Sequence, residues 1–199
     1  MALHTFSIDD ALAALPGFPE LRGRRTRLRG PGAADADALF ALFSDPRVMR
    51  YWSRPPMVAR AEAAGFITEC LANFDARTHL GWVITGRDDD EAIGTCTLFH
   101  FDARNRRAEI GYALRADHWG RGLARDAVAR AIDWGIAHLG LHRFEADIDP
   151  ENDASRRLLH ALGFRTEGRM RERWIVGGNV ADSEVLGLLA RDRQPSLVR

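Results

Sequence analysis

Apolar and polar residues change period along this chain, and the changes mark out its elements. From Ala33 to Phe43, and again from Arg60 to Asp75, apolar side chains recur three and four residues apart, the spacing of a helix with one buried face. The period then shortens. Trp82-Val83-Ile84-Thr85 and Ala92 to Phe101 read as strands, joined by the polar run Gly86-Arg87-Asp88-Asp89-Asp90-Glu91 as a solvated hairpin loop. A third strand covers Ala108 to Leu114, a helix runs from Gly122 to His138 with Gly140 as its C-cap, and His142 to Ile148 reads as a strand. A helix over Asn152 to Leu162 and two strands, Arg165 to Val176 and Asp182 to Leu189, close the pattern. Residues 1–20 read as an N-terminal extension, with Asp9 or Asp10 as a helix cap and Pro16-Gly17 as a stop, and residues 193–199 as a tail. One domain over residues 21–192 remains, with no internal repeat, and its element order predicts an antiparallel sheet with helices on its faces.

Composition narrows the function classes. With 199 residues, 46% of them hydrophobic, the chain can bury a single generous core. Its formal net charge of zero argues against a nucleic-acid binder acting through bulk electrostatics. All of the side-chain positive charge is arginine; there is no lysine, which excludes Schiff-base chemistry and attachment of pyridoxal phosphate. Cys70 and Cys96 are isolated, and no secretory leader is evident, so a reducing cytoplasm is expected. No apolar run approaches the ~20 residues that cross a bilayer, so no membrane association is expected. His138 and His142 are four apart, but Gly140 and a strand onset lie between them, so no metal site is assigned.

The segment Glu109 to Arg125 carries the most chemistry: a short strand, a turn with Gly120 and Gly122, then a long helix. Such a junction suits phosphate, because glycines let successive N–H groups point into one concavity and the helix start adds its unpaired donors and positive dipole end. Arg121 and Arg125 place charge beside them. A triphosphate-binding loop would need Gly-Lys-Ser/Thr here, and a dinucleotide fingerprint a third glycine where Arg125 stands.

Trp119-Gly120-Arg121-Gly122-Leu123-Ala124 instead resembles the Gln/Arg-x-x-Gly-x-Gly/Ala turn of the GNAT superfamily of acyl-CoA-dependent N-acetyltransferases, with Trp119 at the first position as in the Rim-type branch that acetylates ribosomal-protein N-termini. Leu28 to Tyr51 resembles that branch's opening strand and helix, closed by Ser44-Asp45-Pro46-Arg47-Val48-Met49. Glu109-Ile110-Gly111-Tyr112, Asp149-Pro150-Glu151-Asn152-Asp153-Ala154-Ser155 and Leu162-Gly163-Phe164 follow in the family's order. The resemblance implies an α+β, three-layer α/β/α domain whose mostly antiparallel mixed sheet is splayed around an acyl-CoA site. It implies acetyl-CoA as co-substrate and a primary amine as acceptor, a protein N-terminus first and a polyamine, amino acid or aminoglycoside second. A non-catalytic acyl-CoA-sensing module is the reading from another class. Monomer and homodimer are both compatible with it.

Site roles follow by the same resemblance. The strand before the glycine turn is expected to bulge, so that Tyr112, Ala113 and Leu114 pair with the pantetheine arm, while Gly120, Arg121, Gly122, Leu123, Ala124 and Arg125 hold phosphate. The Asn152 amide would pair with pantetheine and the Ser155 hydroxyl would protonate the leaving thiolate. Locally the same residues read as an N-cap and a first-turn serine. Many relatives use a tyrosine as the acid, at the place held here by Leu159. Glu109 is the candidate base, or a rim carboxylate paired with Arg106 or Arg107. Glu172 would share a face with Trp174 if the penultimate strand is regular, and Trp52 and Trp174 are candidates for the acceptor pocket. Arg156 and Arg157 could meet phosphate or solvate a helix face. Neither cysteine sits in a nucleophile setting, so direct transfer in a ternary complex is expected.

Overall fold

The computed structural model describes residues 7–193; the sequence-based expectations for the first residues and for the tail beyond 193 fall outside that span. Eight strands form one sheet in the order β1-β2-β3-β4-β5-β6-β8-β7: β1 Leu21–Arg22, β2 Thr26–Arg29, β3 Leu80–Gly86, β4 Ala92–Asp102, β5 Arg107–Leu114, β6 Arg143–Ile148, β7 Arg165–Val176 and β8 Asn179–Leu189. Only β5 and β6 run parallel. Among the described residues six α-helices flank it: α1 Ile8–Ala13, α2 Ala36–Ser44, α3 Pro46–Met49, α4 Arg60–Asp75, α5 Leu123–Leu139 and α6 Asp153–Ala161. The expected α+β fold with a mixed, mostly antiparallel sheet is borne out.

Helices on both faces explain why β3 is apolar without alternation. Leu80, Trp82 and Ile84 enter a large core shared with α1, α5 and α6, whereas Val83 enters a smaller one with Leu39 and Phe43 of α2 and Ala63 and Ile67 of α4. β6 has only one covered face, and it alternates: Phe144, Ala146 and Ile148 are buried while Arg143, Glu145 and Asp147 point the other way. The stretch read as an N-terminal extension is packed into the same domain, because Ile8 and Leu12 of α1 lie in the large core. Its N-cap is Ser7, with Asp9 and Asp10 one turn in, where they complement the helix dipole.

One glycine shows how tightly β4 and β5 are fitted. A Cβ on Gly94 would stand 2.3 Å from the Ala113 carbonyl oxygen and 2.9 Å from Leu114 Cδ1. Both belong to the neighbouring strand, which has no room to retreat. Gly94→Ala is therefore expected to destabilise the fold by about 2–3 kcal/mol, read as a lower urea midpoint at unchanged slope.

Candidate active site

The sheet opens between β5 and β6. Parallel pairing joins Arg107, Ala108 and Glu109 to Arg143, Phe144 and Glu145 and then stops, so beyond Glu109 the two strands diverge. On its other edge β5 stays in unbroken register, with residues 109–114 opposite residues 99–94 of β4. The expected bulge at Tyr112–Leu114 is absent; the irregularity lies between Phe99 and Asp102, where His100 takes φ 50°. The free edge comes from divergence of β6 rather than from a distortion of β5. Arg115 N–H donates to Ile93 O at 2.9 Å, continuing the β4 ladder, so odd-numbered residues of β5 address β4 and even-numbered ones address the fork. Tyr112 and Leu114 thus offer backbone groups to the opening, and Ala113 does not. The Leu114 carbonyl already accepts from Trp119 Nε1 at 2.7 Å.

The glycine turn stands at the end of this edge. Gly120 and Gly122 both take φ 73°, and Gly122 is the left-handed N-cap of α5, a geometry that β-carbons disfavour. Arg121 and Arg125 are exposed beside it. The turn is propped from behind by the hairpin between β1 and β2: Arg25 Nη1 donates to Arg121 O at 2.6 Å. In the first turns of α5, the Asp126 carboxylate accepts from the N–H groups of Arg24, Arg25 and Thr26 at 3.1, 3.0 and 3.0 Å and from Thr26 Oγ1 at 2.7 Å. Nothing in the local sequence pointed to Asp126, since its partners lie about a hundred residues away; Gly23 is the one trace, since a Cβ there would sit 2.1 Å from Asp126 Oδ2.

On the α6 side, Asn152 is the N-cap, its Oδ1 accepting from Ser155 N–H at 3.1 Å, and its amide nitrogen has no partner among the described residues. Ser155 Oγ meets the Tyr112 hydroxyl at 2.6 Å. This contact was invisible in the sequence, where Tyr112 counted only for its backbone. Burial pushes the Tyr112 phenol well above its ordinary range, and its bond to Ser155 opposes that shift only partly. Leu159, at the family's tyrosine position, is wholly buried in the large core.

Glu109 stands at the closed end of the fork, on the α2/α4 face. Its Oε1 lies 3.0 Å from His100 Nδ1, and neither Arg106 nor Arg107 is its partner. Arg107 instead binds Asp102 and Glu145. The Arg156 guanidinium is engaged within the protein, by Glu184 at 2.8 Å, by Asp153 and by the Pro150 carbonyl. The regular strand that would put Glu172 on the face of Trp174 is not formed: β7 loses register between Met170 and Trp174, Glu172 has φ 51°, and its N–H donates to Asp182 Oδ1 at 2.8 Å. Trp52 packs edge-on against Phe43, whereas Trp174 is partly exposed over β6, its Nε1 3.4 Å from Asp147 Oδ1. The acidic hairpin loop is exposed but tied down, with Asp90 held by Arg27 and Arg29 and Glu91 by Arg115.

Burial raises the Cys96 thiol to about 12 and the Cys70 thiol to about 11, so both stay protonated at neutral pH and neither is a ready nucleophile. His138 and His160 bond to the carbonyls of Trp134 and Phe164. Among the described residues no group of His, Cys, Asp or Glu could hold a metal ion, and no helix is long and apolar enough to cross a membrane.

Residues 25–165 match the model of the acetyltransferase (GNAT) domain family. An uncharacterized N-acetyltransferase, p20, of Bacillus licheniformis is 37% identical over 169 residues, 84% of this chain and 94% of that protein. The spermidine N(1)-acetyltransferase of Escherichia coli K12 is 27% identical over 152 residues, 76% of this chain and 79% of that protein. Mycobacterium smegmatis RimJ, solved in complex with CoA-disulfide, superposes with a TM-score of 0.76 at 26% identity, covering 87% of each chain.

Proposed function

The chain belongs to the GNAT acetyltransferase family, and from that premise we propose that it passes the acetyl group of acetyl-CoA to the α-amino group of a protein N-terminus by direct attack. The observation that carries the transfer chemistry is the fork: a strand edge with unpaired backbone groups on one side, the Gly120–Gly122 turn at its mouth, and a hydroxyl pair at its α6 edge. The turn and the start of α5, with Arg121 and Arg125, suit the diphosphate; Tyr112 and Leu114 N–H with the free Asn152 amide suit pantetheine. Acetyl-CoA supplies the activated thioester. The α5/α6 face carries Tyr112 and Ser155, so the sulfur leaves toward them and takes a proton from Ser155, which the Tyr112 hydroxyl can replenish. On the opposite face Glu109, braced by His100, accepts the proton released as the amine nitrogen forms its new bond. An α-amino group with a pKa of ~8 is neutral often enough at physiological pH for such a modest base to suffice. The protonated thiols of Cys70 and Cys96 leave no acyl-enzyme route through cysteine.

Two observations favour a protein acceptor over a polyamine. The second core ends at β5, so the floor formed by β6, β8 and β7 is open to a large partner. Most carboxylates on that floor are already neutralised: Glu145 by Arg107 and Arg143 at 2.7 and 2.8 Å, and Glu167 by Arg143 at 2.5 Å. A polycation would require several free ones. Thiol release from acetyl-CoA, followed with a dye across peptides beginning Ser, Ala or Met and across spermidine, amino acids and aminoglycosides, tests the reading. Turnover is expected on peptides. Turnover on spermidine alone would move the acceptor to polyamines, and CoA binding with no turnover on any amine would favour the sensing module.

A further inference from the structure

One carboxylate at the fork has no role in the chemistry above. Asp147 lies on β6 two residues beyond its last pair with β5, at the register position that Gly111 takes on the opposite arm. Strand alternation puts it on the face of Glu109 and Glu145, the side away from Tyr112 and Ser155. Gly111, across the fork from Asp147, contributes no side chain, and that face is bounded on the β5 side by the Phe99 ring, whose Cε1 would lie 3.4 Å from a Cβ on Gly111. Its neighbours on the floor are firmly held, Glu145 by two arginines within 2.8 Å. Among the described residues Asp147 has two long contacts, Arg173 Nε at 3.5 Å and Trp174 Nε1 at 3.4 Å. Arg173 reaches it from the stretch of β7 between Met170 and Trp174 that has lost register with β8, and Trp174 from the pair with Ala181 where register resumes. An anion so placed and weakly paired suits a single incoming ammonium group, which takes over from Arg173, the cation that now reaches Asp147 and lies 5.7 Å from the centre of the Trp174 ring.

We propose that Asp147 holds the ammonium or amine of the acceptor on the β6 arm, two residues further along the fork than the Glu109–Glu145 pair, and so selects acceptors that present one primary amine without a carboxylate beside it. The proposal rests on the acetyl-transfer reading and deepens it by naming what positions the acceptor. Asp147 makes the hydrogen bond to the nitrogen and Glu109 takes the proton, so no further reactant enters.

The experiment separates binding from chemistry. With the CoA-loaded protein, a Ser-initiated peptide is titrated calorimetrically against wild type, Asp147→Asn and Arg173→Met, and the same proteins are assayed for turnover with acetyl-CoA. Asp147→Asn is expected to weaken peptide binding and raise its KM at least tenfold, with kcat changed less than threefold and CoA affinity unchanged. Arg173→Met is expected to leave peptide affinity unchanged or improve it, since it removes a competing cation. Equal losses in both variants would mean that Asp147 merely clamps β7, and the proposal would fail. It would also fail if wild type binds no amine, neither peptide nor spermidine. Amine binding that depends on Asp147 without any turnover would keep the site and reject catalysis.

Discussion

Ser155→Ala is expected to lower kcat by about 10²-fold, and Tyr112→Phe by roughly tenfold, with the KM for acetyl-CoA close to wild type in both. The two hydroxyls are 2.6 Å apart and either can donate to the other, so they act as one unit at the place where the sulfur departs. The double variant should therefore be little worse than Ser155→Ala alone, the signature of a shared role rather than two independent ones. Steady-state kinetics with a turned-over peptide give the answer directly, and additive losses would show that the hydroxyls work separately. The pH profile adds a check with a definite sign. A phenol ordinarily titrates near 10, and burial holds that of Tyr112 higher, so it remains a proton carrier throughout the range in which an N-terminal amine becomes neutral. Activity should rise through pH ~8 as the acceptor deprotonates and should show no loss attributable to Tyr112 up to about pH 10. The stability that its neutral form contributes is present below pH ~10 and fades above it, as the unfolded chain begins to favour the phenolate.

Asp126→Ala is the substitution with the largest expected structural consequence. Thr26 is fully buried and directs both its N–H and its hydroxyl to the Asp126 carboxylate. Removing that acceptor leaves buried donors without it, at a cost of about 2–4 kcal/mol in chemical unfolding. The functional effect should exceed what stability alone explains. The same carboxylate fixes the β1–β2 hairpin against α5, and that hairpin, through Arg25, supports the Arg121 carbonyl within the glycine turn. CoA affinity is expected to fall roughly tenfold at temperatures where the variant is still folded, because a loosened turn must be ordered again on binding. Asp126→Asn, which keeps one acceptor oxygen, should recover part of both losses. Unchanged CoA affinity in a folded Asp126→Ala protein would show that the turn holds its shape without the hairpin.

The order of helices and strands, the glycine turn before α5, the left-handed cap at Gly140 and the Asn152 cap over Ser155 were all legible in the sequence. Each rests on an interaction a few residues long: a burial period, a backbone angle only glycine accepts readily, a side chain reaching the next turn. These also sufficed to place the chain in its family. What joined Tyr112 to Ser155, 43 residues apart, and Asp126 to Thr26, 100 residues apart, was the packing of α5 and α6 on one face of the sheet. The same holds for the pairing of Glu109 with His100 rather than with an adjacent arginine, for the irregular stretch of β7 around Glu172, and for the position of Asp147 beside the fork. A periodic pattern says which face of a strand is buried but not which neighbour it receives, nor where two paired strands part. Those were decided only in three dimensions, because each depends on which elements, distant along the chain, come to lie side by side, as β5 and β6 do only as far as Glu109 and Glu145.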